Sequence, residues 1–261
     1  MNGPQVVALI YSVEHRDSID YTNASALRFG DDPKFDLTVE DNRARFEMKE
    51  HYADVGEACE AIEPFIQQWE FEAGIRRGPN SFRLRYQEAE VIDRHPSASE
   101  TGVKKIREFG HVLSNIKAEV GIQLGEPHYP SPPPAGGSVD LEDDYVVKMK
   151  IRYDQYRLGR AKLPDVAYVC IDLLEEKYEG LPAAAKECGI SRNVLVKIRS
   201  LSSNKGGEDS RKAKGFGDDF TREEKRFLRA ALKEVIIRAA QVAADASQNI
   251  PQITMADFPS L

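Results

Sequence analysis

Residues 125–137 read GEPHYPSPPPAGG, five prolines and three glycines in one short run. Proline has no amide hydrogen to give to a helix or a central strand, and ordering glycine costs backbone entropy, so no regular element can run through such a stretch. The chain must fold on either side of it. Its 261 residues are enough for two ordinary hydrophobic cores. The expected organisation is a domain over 1–124, a Pro/Gly-rich linker over 125–141 acting as an extended, semi-rigid spacer, a second domain over 142–246, and a loosely held tail over 247–261. A PxxP ligand is the other reading of the same prolines.

The charge split also supports two domains. Residues 1–150 hold 17 Lys or Arg against 27 Asp or Glu, net −10, whereas residues 151–250 hold 19 against 15, net +4. Any polyanion is therefore expected on the second half, and a protein partner on the acidic first half. The apolar run Val6–Tyr11 is short and lacks preceding basic residues, so it does not read as a signal peptide, and no stretch is long enough to span a bilayer. Cys59, Cys170 and Cys188 are far apart and odd in number, which fits reduced thiols better than a disulfide framework. The location expected is the cytoplasm, without membrane contact.

In the first half, Val6–Val13 reads as a buried strand. Phe35, Leu37 and Val39 alternate with polar neighbours, and after Glu40-Asp41-Asn42 the alternation resumes in Ala44, Phe46 and Met48, the pattern of a hairpin. From Asp54 the period changes. Val55, Ala58, Ile62, Phe65, Ile66, Trp69 and Ala73 recur at helical steps and predict one long helix over about 54–77, with a kink or break at Pro64. Trp69 is expected in the core. Phe82–Ile92 is a further strand, Val103–Phe109 leans toward strand, and the alternation over 116–124 is the most regular in the chain. The fold class expected is α+β: an antiparallel sheet of about five strands with one long helix, then an all-helical C-terminal domain.

In that second domain, Asp143–Arg160 favours a helix on length, Pro164 suits the first turn of another, and Thr221 with Glu224 makes a capping box for a long last helix. The inward face of that helix is Leu228, Ala231, Leu232, Val235, Ala239 and Val242. Residues 202–219 read as a polar loop.

Between these helices lies 181–201, LPAAAKECGISRNVLVKIRSL. Ala184 and Ala185 permit close helix approach, Gly189 tolerates positive φ at the corner, Ser191 is placed to cap the next helix, and Leu195 and Ile198 point back toward the first. Over these residues the chain resembles the bacterial helix-turn-helix. That resemblance implies a second helix lying in the major groove, with Arg192, Asn193, Lys197 and Arg199 toward bases and phosphates and Lys205, Arg211, Lys212 and Lys214 on phosphates. From 191 to 214 there are seven basic residues against two acidic, net +5.

Other chemistry is weakly marked. Asp36 with Glu47 and Lys49 has the spacing of the Asp…Glu-x-Lys arrangement of metal-dependent nucleases, but Glu-x-Lys also occurs at Glu175/Lys177 and Glu223/Lys225, on expected helices. His15, His51, His95, His111 and His128 lack metal-ligand spacing, and no phosphate-wrapping loop motif is present. No catalytic residue, metal or cofactor is therefore assigned. The leading expectation is a non-enzymatic, bacterial cytosolic protein of DNA-binding or regulatory role. The alternative is a protein-interaction module, or a subunit of a bacterial assembly, without a nucleic-acid role. A metal-dependent nuclease is third.

Overall fold

The computed structural model describes residues 4–16, 19, 21, 23–92, 103–107 (backbone), 128–205, 219–247 and 250–261. The expected strand over 116–124 lies outside them. The chain divides into two compact units, Met1–Gly137 and Ser138–Leu261, an antiparallel sheet with one long helix followed by an all-helical unit, in the α+β class.

Unit 1 contains strands β1 (Gln5–Glu14), β2 (Leu27–Phe29), β3 (Phe35–Glu40) and β4 (Arg43–Met48), helix α1 (Val55–Arg77), then β5 (Arg83–Ile92) and β6 (Val103–Arg107). The strands form one sheet in the order β2-β3-β4-β1-β5-β6, with every pairing antiparallel. Its β3–β4 hairpin closes through Asp41 and Asn42, at φ 49° and 57°. Two consecutive left-handed residues match the twist of the flanking strands, and Asp and Asn tolerate that conformation better than most residues.

Asp54 starts α1 by accepting from the amides of Gly56 and Glu57, and Gly78 ends it. The kink or break expected at Pro64 is not a break, since α1 is continuous through it. Pro64 and Glu60, whose carbonyl loses its amide partner there, both lie on the exposed side, where water can take the place of the missing bond. The opposite side of α1 buries Ala58, Ile62, Phe65, Ile66 and Trp69 with Leu9, Leu37, Val39 and Phe46 of the sheet. Phe65 meets Phe35 edge-on at 5.0 Å between ring centres, and Trp69 meets Phe82 at 4.5 Å.

The stretch expected to be an extended, semi-rigid spacer is anchored to unit 1 at His128, Tyr129 and Pro130. Tyr129 is buried in the core, stacked on Tyr21 at 5.1 Å, and its hydroxyl accepts from the Asn42 amide at 3.0 Å. Trp69 Nε1 donates to the Pro130 carbonyl at 3.2 Å, and Arg77 donates to the carbonyls of His128 and Tyr129. An extended proline-rich chain has free carbonyls, and these donors use them.

Unit 2 comprises α2 (Asp144–Arg157), α3 (Leu163–Lys177), α4 (Leu181–Glu187), α5 (Arg192–Asn204) and α6 (Arg222–Ala244). The capping box of Thr221 and Glu224 starts α6, and the six expected inward residues of that helix are all buried. The tail expected to be loose is instead held. Ile253 pairs with Ile190 in a parallel bridge, Thr254 and Asp257 cap a 3-10 turn over Met255–Asp257, and Phe258 packs edge-on against Phe227 at 5.6 Å. Among the described residues, no helix is long and apolar enough to cross a membrane.

Candidate nucleic-acid interface

Helices α4 and α5 meet at a corner whose chemistry fixes their relation. Ala184, Ala185, Cys188 and Ile190 are buried on the inner side. Gly189 stands at φ +57°, and a Cβ there would come within 2.9 Å of the Ile250 carbonyl oxygen and 3.0 Å of Arg238 Nη1. Both the backbone conformation and the space require glycine.

The tail and α6 both close on that corner. Ser191 N donates to the Ile253 carbonyl at 2.8 Å, and Ile253 N donates to the Gly189 carbonyl at 2.9 Å. From α6, Arg238 Nη1 donates to the carbonyls of Gly189 at 3.0 Å and Pro251 at 2.7 Å, with Cys188 at 3.3 Å. Arg238 is only 7% exposed. Burial pushes its pKa down from the ordinary arginine value against the raising influence of Glu234, and arginine starts high enough to keep its charge.

Val194, Leu195, Ile198 and Leu201 are buried on the inner side of α5. On the outer side Arg192, Asn193, Val196, Ser200 and Asn204 are exposed, and Lys197 is half-buried at the edge. Val196 is 45% exposed, a large apolar side chain between polar neighbours. Ser191 occupies the cap position but makes no side-chain capping bond; its carbonyl accepts from Val194 and Leu195 instead.

Two of the expected contacts are engaged elsewhere. Arg199 pairs with Glu175 and lies 3.8 Å from Asp172, both on α3, because it sits on the flank of α5 that packs beside α3. Lys205 is 2.9 Å from Glu224, since the end of α5 runs alongside the start of α6. Burial works to raise the Glu224 carboxyl, but the Lys205 hydrogen bond, the Thr221 amide and the charges of Lys205 and Lys197 hold it below the ordinary value. Arg192 and Lys197 have no ion pair among the described residues. Arg211, Lys212 and Lys214 lie outside the described residues.

The nuclease trio sits on β3, on β4 and just beyond it. Asp36 and Glu47 are cross-strand partners, but their charges are spoken for: Lys49 Nζ is 2.8 Å from Asp36 and also donates to the carbonyls of Gly30 and Asp32, and Arg45 holds Glu47 at 3.0 Å. Among the described residues no three His, Cys, Asp or Glu side chains converge to hold a metal. The same face of the sheet carries Arg45 bound through two nitrogens to Glu90, at 2.8 and 2.9 Å, and Arg43 paired with Glu88. The acidity of unit 1 is thus partly neutralised on that face.

One cationic feature was missed in the sequence: Arg222, Arg226, Arg229 and Lys233 of α6 recur at steps of four, three and four residues and so share one face. The signal was present, but it runs opposite the apolar periodicity by which the helix is recognised. The chain matches no protein-family model, no curated protein and no solved structure.

Proposed function

We propose that unit 2 binds duplex DNA through the outer face of α5, as a non-enzymatic regulatory protein of the bacterial cytosol. The observation that supports this most is the exposure of Arg192 and Asn193 at the start of a helix whose entry corner is pinned by Arg238. A helix laid in the major groove reads bases with the residues of its first turns.

The side chains suit the task. Arg192 can bond guanine O6 and N7 through two nitrogens, Asn193 can do the same at adenine N6 and N7, and Val196 offers an apolar surface to a thymine methyl. Lys197 at the edge is placed for a phosphate. Arg199 and Lys205 act mainly by holding α5 to α3 and α6, while Arg211, Lys212 and Lys214 supply further phosphate contacts. Unit 1 then senses a signal or binds a protein.

The second reading, a protein-interaction face without nucleic acid, draws on the exposure of Val196. Titrating the full chain with a mixed-sequence duplex at rising salt separates the two. DNA binding gives an affinity that falls steeply as salt rises; no duplex affinity even at low salt leaves the interaction reading.

A further inference from the structure

The face of α6 that carries Arg222, Arg226, Arg229 and Lys233 lies across the helix from Glu224, which faces Lys205 of α5. It is therefore separate from the α5 surface. Arg222, Arg226 and Arg229 are exposed and have no ion pair among the described residues. Where this face reaches the end of α2, the two helices flank an open cleft of about 310 Å³ lined by Tyr153, Tyr156, Arg157, Gly159, Arg229 and Lys233. Among the described residues that line it are three cations and two phenols, and two of the cations, Arg157 and Lys233, also engage partners of their own.

We propose that this cleft binds the phosphate group of a small ligand, either inorganic phosphate or a phosphomonoester. Arg229 is already oriented, because its Nε donates to the Tyr156 hydroxyl at 2.7 Å and its terminal nitrogens remain for a ligand. A hydroxyl accepts through a lone pair and donates through its O–H, so Tyr156 can take the Arg229 bond and still donate to the same anion. Tyr153 is buried, which pushes its phenol up to about 12 against the lowering effect of Arg157, a hydrogen-bond partner, and of Arg229; it stays protonated.

The end of a helix ordinarily repels anions through its free carbonyls. Here those of Asp154, Gln155 and Tyr156 accept from Leu158, Arg160 and Gly159 at 2.8–3.0 Å, so that repulsion is reduced. Planar guanidinium groups beside an ammonium are the donor set that phosphate oxygens favour. The cleft is at the small end of ligand pockets, which fits one phosphate and a short substituent better than a duplex.

Isothermal titration of the full chain with inorganic phosphate and with glycerol 2-phosphate, at matched ionic strength, tests the proposal. At least one probe should bind, and the tighter of the two identifies the source of the phosphate. Arg229→Gln with Lys233→Gln should weaken binding by about tenfold or more, the loss of charge-assisted bonds, with the thermal unfolding midpoint retained. Tyr156→Phe, which keeps every charge, should weaken it by a smaller factor. Arg192→Ala with Lys197→Ala should leave phosphate binding unchanged, which keeps the outcome distinct from that of the DNA reading. Absence of binding by both probes, equal binding by the Arg229/Lys233 variant, or a loss in that variant confined to duplex affinity overturns it.

Discussion

The guanidinium of Arg238 donates to the carbonyl of Gly189 across 3.0 Å, tying the C-terminal half of the longest helix of unit 2 to the corner between α4 and α5. Because the same nitrogen also reaches Pro251 at 2.7 Å, one buried side chain fixes the corner and the tail that lies against it. The direction in which α5 presents its outer face depends on this contact.

Arg238→Met keeps an unbranched apolar stem and removes the donors. The carbonyls it leaves in a dry setting should cost unit 2 about 2–4 kcal/mol, measured by urea unfolding followed by circular dichroism. A loss below about 0.5 kcal/mol, the size of an ordinary surface change, would show that the corner is held by other contacts.

Glu224 should make unit 2 sensitive to acid. Its folded pKa is depressed, so ionisation stabilises the native state, in full above the unfolded value of about 4.3. That contribution is lost as pH falls through the folded value. Glu224→Gln should therefore be less stable at pH 7 and lose less on going to about pH 3. Parallel stability curves for the two proteins would contradict this.

The thiols should differ in reactivity. Burial pushes Cys170 up to about 12, and it pushes Cys188 up to about 11 despite the lowering hydrogen bond from Tyr178. The thiolate is the reactive form. With Ellman's reagent at pH 8 the native protein should label at half-buried Cys59 if anywhere, and all three thiols should label in guanidinium. Rapid native labelling of Cys188 would show that the corner opens.

Tyr129 tests whether the proline-rich stretch belongs to the core. Tyr129→Ala removes a buried ring together with an acceptor for the Asn42 amide, and should cost unit 1 about 3 kcal/mol. Trp69, the single tryptophan, reports that unit by fluorescence. An unchanged unfolding midpoint would return the stretch to the role of an extended, semi-rigid spacer.

Much of the fold was legible because it depends on near neighbours. The β3–β4 hairpin was marked by period-two alternation about Asp41 and Asn42, α1 by its helical spacing, and α6 by Thr221 with Glu224. What escaped depends on distant partners. Strand β2 has only three residues, too few to show a period, and pairing with β3 makes it a strand. The burial of Tyr129 and Pro130 needs Trp69 and Arg77, and the docking of the tail needs Arg238 and Phe227. At the candidate site, the spacing of Leu195 and Ile198 correctly gave the inner face of α5. The engagement of Arg199 and Lys205 was hidden, since Glu175 and Glu224 lie 24 and 19 residues away.

In the proposed DNA-binding role, α5 presents Arg192 and Lys197 to a duplex. Affinity for a mixed-sequence duplex, measured by fluorescence anisotropy from about 50 to 200 mM salt, should fall about tenfold or more in Arg192→Ala with Lys197→Ala, as expected for the loss of a base and a phosphate contact. The salt slope should become shallower by about one unit per lost phosphate contact. Unchanged affinity and slope in the variant, or no binding by the parent protein at the lowest salt, would contradict it.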